Sequence, residues 1–278
     1  MAERRGLGWE VVPLFEAIPP AETPAASVIV IGYLGATSQE YGALLGPLLA
    51  LALVAGPVAA QQDVDKVFGA ITAESNREYG ALDTVNGSIT IRSGARVRSA
   101  ETVNGSISIH QDARVGNAET VNGAISLDEG GQAESLETVN GGISIERGAR
   151  VTMDVEAVNG SIRIAELATV SGDASNVNGS IRIEGGEVGG TVTTTNGDIT
   201  LRGAVVRGDL VVEKPDSSWW KPERSRLPRV IIDADSVVEG RLVFEREVEL
   251  YVHPDAKVGK QSGVSPRMID SPDAPRQD

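Results

Sequence analysis

One nine-residue phrase returns seven times, and it leaves this chain few ways to fold. The copies read DTVNGSITI (83–91), ETVNGSISI (101–109), ETVNGAISL (119–127), ETVNGGISI (137–145), EAVNGSIRI (156–164), SNVNGSIRI (175–183) and TTTNGDITL (193–201). The steps between their asparagines, Asn86, Asn104, Asn122, Asn140, Asn159, Asn178 and Asn196, are 18, 18, 18, 19, 19 and 18. After each Asn-Gly, polar and apolar residues alternate, as in Ser106-Ile107-Ser108-Ile109, which is the period of a strand with one buried face. A unit of this length is too short for a strand and a helix. The chain must therefore coil, each copy stacking on the last at about 4.8 Å. The fold class is all-β, a single-chain parallel β-solenoid with about 18 residues per coil.

A finer period divides the coil. Val85, Ile91, Val97, Val103, Ile109, Val115, Val121, Leu127, Ala133, Val139, Ile145 and Val151 recur at every sixth position. Three sixes make one coil, so the spacing predicts a three-sided cross-section with these residues pointing inward. Each buried Val, Ile or Leu contributes about 1.5–3 kcal/mol, a sufficient core without aromatics. The nineteen-residue steps require one extra residue at a corner. The Asn-Gly pairs read as those corners, with glycine and asparagine accepting positive φ. In register, the seven asparagine side chains form a structural amide ladder. A hairpin reading of Asn-Gly is available, but near-identical strands at one fixed interval fit a stacked coil rather than a zigzag.

Composition removes several function classes. Without cysteine there is no disulfide framework, thiolate metal site or catalytic thiol. The formal charge of −14, with no Lys/Arg cluster, opposes nucleic-acid binding. Two histidines, His110 and His253, give no metal pair; His110 stands where Arg92, Asp128 and Glu146 stand in other copies, which marks an interchangeable surface position. No cofactor and no metal site are expected, and nothing has the spacing of a catalytic triad or a phosphate loop.

The stretch from Met1 to Ala60 reads as separate from the fold. Gly42 to Ala60 carries no charge, and its apolar run ends in Val58-Ala59-Ala60 before Gln61, the pattern of a signal peptide cleaved after Ala60. A membrane anchor is the alternative, interrupted by Pro47 and Pro57. The solenoid is expected over 61–260 with a side loop at 214–228, where KPDSSWWKPERSRLP breaks the pattern, and a disordered tail over 261–278. Trp219 and Trp220 lie in that loop, either flat on the solenoid or as a binding anchor for a protein or glycan.

Two surface stripes follow from the repeat. Asp83, Glu101, Glu119, Glu137 and Glu156 occupy one position in successive coils. They read as a solvated charge stripe, as a weak cation site, or as a glycosidase pair, the last wanting the sugar-stacking aromatics that the repeats lack. Ser88/Thr90, Ser106/Ser108, Ser126, Ser144, Ser161, Ser180 and Thr200 make a hydroxyl-rich face interrupted by Arg163 and Arg182.

The Val-Asn-Gly-x-Ile core of ETVNGSISI resembles an adhesin-labelled family of bacterial β-strand-repeat proteins of unknown function, over roughly residues 66 to 213. The segments Val206-Arg207-Gly208-Asp209-Leu210 and Val238-Glu239-Gly240-Arg241-Leu242 are similar to coils of bactofilins, which are polymer-forming β-helices. The first resemblance implies an exported, right-handed, non-enzymatic β-helix, periplasmic or at the cell surface. Its partner would be an envelope or surface protein or glycan, with no membrane span after signal cleavage. The second implies a self-assembling scaffold.

Overall fold

The computed structural model describes residues 62–215 and 226–274. Residues 1–61, with the expected signal peptide, and Trp219 and Trp220 lie outside the described residues. The described chain is all strand and turn, and every strand pairing is parallel. None of its segments is a helix long and apolar enough to cross a membrane. Ile-x-Ile segments stack into an 11-stranded sheet running from Ile71–Ala73 through Ile107–Ile109 to Arg267–Met268. The rest of each coil joins a 17-stranded sheet. Among the described residues the β-solenoid thus has one coil for each strand of the smaller sheet, eleven in all, and keeps the length per coil that the repeat requires.

In the early coils one nine-residue strand, such as Arg96–Asn104, bends through two sides, and Ile107–Ile109 makes the third. From Val151 onward the long strand divides, as in Arg150–Val151 and Val155–Asn159. The nineteen-residue step originates there: Ala133 pairs with Val151, but Leu136 pairs with Val155, so one extra residue enters the corner at Thr152–Asp154. Met153 points out of that corner, and the stack continues undisturbed.

The hexad is right on two of the three sides. Ile91, Val97, Ile109, Val115, Leu127, Ala133, Ile145 and Val151 are buried, but Val85, Val103, Val121 and Val139 are 39–41% exposed. The bend at Arg98–Ser99 breaks the alternation, so that Ala100 and Thr102 face inward while Glu101 and Val103 face outward. A polar residue is accepted inside because its hydroxyl finds an acceptor. Thr102 Oγ1 donates to Gly87 O at 2.9 Å, and Thr120 and Thr138 repeat the bond one and two coils on.

The Asn-Gly corner is also built differently from the expectation. None of the ladder asparagines has positive φ, and of the glycines that follow them only Gly179 does (145°). Glycine is needed here because the corners stack backbone on backbone: a Cβ on Gly105 would overlap the carbonyl oxygen of Gly87. The left-handed residues sit at the corner after Ile-x-Ile instead. Asn76, Gly94, Asp112, Gly130, Gly148, Leu167, Gly185, Gly203 and Asp235 follow one another there with φ between 55° and 71°.

Past residue 212 the stack absorbs the interruption without losing register. Ile199 pairs with Val230 and Leu210 with Leu242, so the excess length leaves the solenoid at the corner where the other coils carry Asn-Gly. The tail expected to be disordered from 261 instead supplies Gln261–Gly263 and Arg267–Met268, which pair onto Leu242–Phe244 and Glu249–Val252. Its backbone groups complete a ladder that would otherwise end in an open edge, and this outweighs its low apolar content.

Candidate functional site: an acidic, valine-lined groove

The outward residues of the bent strands build an open groove on the solenoid surface. In each coil a carboxylate and a valine, two residues apart, point the same way because side chains on a strand alternate. Register then stacks like on like. Asp65 pairs with Asp83, Asp83 with Glu101, Glu101 with Glu119, Glu119 with Glu137, and Glu137 with Glu156. Beside this column runs a second one from Val67 to Val158, and the two line an open groove of about 630 Å³. The carboxylate column stops in the next coil, where Ser175 pairs with Glu156.

Charge pairing sets the groove apart. Elsewhere acids and bases one coil apart meet repeatedly, as in Arg92–Glu74 (2.8 Å), Arg207–Glu187 (2.6 Å) and Arg241–Asp209 (2.7 Å). No carboxylate of the groove joins such a pair among the described residues. The strain shows in protonation. Burial, then the carboxylates of Glu101 and Asp65, push Asp83 above the usual range, and burial, then Glu119 and Glu156, do the same to Glu137. Asp83 Oδ1 is enclosed and meets no donor.

The predicted amide ladder runs along the neighbouring corner. Asn104 Nδ2 donates to Asn86 Oδ1 at 3.0 Å, and the same bond recurs from Asn122, Asn140, Asn159, Asn178 and Asn196 to the asparagine of the preceding coil, at 2.9–3.0 Å. All seven side chains are therefore joined. Phe68 holds the equivalent place in the first coil and starts no ladder. At the other end Arg246 Nη1 donates to Asn196 Oδ1.

The remaining sequence candidates fall elsewhere. Thr90, Ser108, Ser126 and Ser144 pair in register on the Ile-x-Ile sheet, followed by Arg163 and Arg182. His110 Nδ1 lies 2.8 Å from Asp128 Oδ2, a surface pair between coils. Among the described residues no cluster of acids and histidines could hold a metal ion. The valine column was hidden from sequence reasoning because its spacing made it look like core. The groove can attract cations and bury apolar side chains at once, two abilities set side by side over six coils. Comparison of the chain with protein-family profiles, curated proteins and solved structures finds no match.

Proposed function

We propose that this chain is an exported, non-enzymatic β-solenoid of the bacterial cell envelope, periplasmic or at the surface, acting as a structural or adhesion-type binding protein. The observation that carries this reading is the groove held on a stack of coils in continuous register: a fixed surface made for contact along its length. The apolar run ending in Val58-Ala59-Ala60, directly ahead of the first coil, supports export. Trp219 and Trp220 are candidate anchors for an envelope protein or glycan. The test is fractionation of the native cells with determination of the N-terminus. A chain starting at Gln61 in the periplasm or medium is expected; an uncleaved cytoplasmic chain overturns the reading.

A second reading, a self-assembling scaffold, is favoured by the ends of the stack. Among the described residues the first coil leaves Phe68 77% exposed and the last leaves Met268 61% exposed, and the strand carrying each is paired on one side only. End-to-end filaments by electron microscopy are its expected outcome. A stable monomer in light scattering overturns it.

A further inference from the structure

We propose that the groove receives a basic amphipathic α-helix of a partner protein, its apolar seam on the valine column and its Lys/Arg flank on the carboxylate column. The proposal rests on the reading of this chain as a binding protein and adds the chemistry of what it binds.

Three observations select this occupant. The valines of successive coils, Val85, Val103, Val121, Val139, Val158 and Val177, are each 39–41% exposed, an apolar strip that no other part of the described chain covers. The parallel carboxylate strip forms no ion pair among the described residues, whereas acids and bases elsewhere on the solenoid pair repeatedly across coils. A ligand that satisfies both strips must be apolar on one side and basic on the adjoining side. Anionic membranes and nucleic acids are repelled by the same carboxylates, and the groove lining holds no aromatic ring on which a sugar could stack.

Pitch decides between a helix and an extended peptide. From Asp65 to Glu156 the groove spans five coil steps, about 24 Å at about 4.8 Å each. Five helical turns at about 5.4 Å cover about 27 Å, so a helix seam stays within about 3 Å of the valine column throughout. An extended strand presents same-face residues about 6.8 Å apart and drifts by about 10 Å over five of them, placing side chains between coils rather than on them. Docking an amphipathic helix into an apolar groove is an established recognition mode. Here the groove itself is made of strands, and its charge fixes which flank of the helix lies on which side.

The probe is a synthetic, fluorescein-labelled peptide of about 18 residues with leucines at helical spacing and lysines along one flank. It is titrated against the full chain by fluorescence anisotropy, with circular dichroism reporting its helicity. Saturable binding with a gain in helicity is expected. Replacing Glu119→Gln and Glu137→Gln together should weaken binding about tenfold and flatten its salt dependence. Replacing Val103→Ser and Val121→Ser together should weaken it by about as much with the salt slope unchanged. Both pairs lie on the surface, and a cooperative thermal melt no more than a few degrees below that of the folded parent shows that each variant is folded; for the glutamine pair the melt should move upward at pH 7. Equal binding of a control peptide with serines for leucines overturns the proposal in favour of simple polyelectrolyte attraction. Binding without helix formation overturns it in favour of an extended ligand, and absence of binding overturns it outright. If the peptide binds as described but the native chain proves cytoplasmic, the export reading falls and the groove assignment stands.

Discussion

The guanidinium of Arg246 lies 2.9 Å from the side-chain oxygen of Asn196, and this contact closes the amide ladder. Thr194 pairs with Val212 and Val212 with Phe244, so Arg246 holds the ladder position two coils beyond Asn196. The coil between them carries the inserted segment at that corner. Arg246 reaches across the gap and also donates to Thr195 O. Replacing Arg246→Met should cost about 1.5–3 kcal/mol, the range for a hydrogen bond to a charged donor, read as a lowered midpoint in urea unfolding.

A second charged pair is buried outright. Arg229 Nη2 and Glu249 Oε2 lie 2.7 Å apart with side chains 7% and 3% exposed, and Arg229 Nη1 donates to Pro272 O. Glu249→Leu strands a buried cation and should destabilise by about 3–5 kcal/mol. The double replacement Arg229→Leu with Glu249→Leu should lie close to the parent protein. Equal losses in the single and double variants would contradict this account.

Leu167 adopts φ 60° at the corner where the other coils place Gly, Asn or Asp, and its side chain is mostly exposed. A left-handed conformation costs an ordinary residue about 1–2 kcal/mol, and no packing offsets it here. Leu167→Asn should raise the stability by about 1 kcal/mol, measured by thermal or urea unfolding.

The carboxylate column makes stability depend on pH in a definite sense. Glu137 has its folded-state pKa raised, so the folded state holds its proton more tightly than the unfolded state does. The favourable contribution of the neutral acid is complete below the unfolded pKa and is lost as pH rises through the raised folded value; above that the penalty is constant. Glu137→Gln should therefore raise the melting temperature at pH 7, by the equivalent of roughly 0.2–1 kcal/mol for relief of stacked like charges, and leave it nearly unchanged below pH 4. A gain that persists undiminished in acid would point to packing instead.

Spontaneous deamidation should single out one of the seven Asn-Gly pairs. The reaction requires the glycine nitrogen to attack the asparagine Cγ, expelling ammonia and closing a succinimide that water opens to Asp or isoAsp. Gly87, Gly105, Gly123, Gly141 and Gly160 each hold this N–H in a bond to the backbone oxygen of the next asparagine, and Gly197 bonds Thr194 Oγ1. Gly179 has no acceptor among the described residues and alone of the seven takes positive φ. Asn178 should be converted first when the protein is held at mildly alkaline pH, as peptide mass spectrometry over time would show. Uniform conversion across the seven pairs would refute the protection ascribed to the glycine N–H bonds.

The coil, its length and its asparagine ladder were legible in the sequence because each is written once per repeat. The facing of the valines was not. Period alone cannot say where a strand bends, and the bend at Arg98–Ser99 reverses which residues face the core; Thr102 and its counterparts, polar yet buried, were the clue. The left-handed corner was in plain view as Gly94, Asp112, Gly130 and Gly148, but the more conspicuous Asn-Gly drew the assignment. The tail beyond residue 261 misled for another reason. Its few apolar residues said disorder, whereas its backbone could complete hydrogen bonds that the preceding coil left open.

Because the strands of each early coil pair only with the coil above and the coil below, and these coils repeat at one fixed interval, removing or duplicating one whole repeat between equivalent asparagines rejoins matching strands. Unequal recombination within the gene can thus lengthen or shorten the rod in steps of about 4.8 Å without redesigning any contact. Span is thereby a heritable quantity that changes by whole units rather than residue by residue.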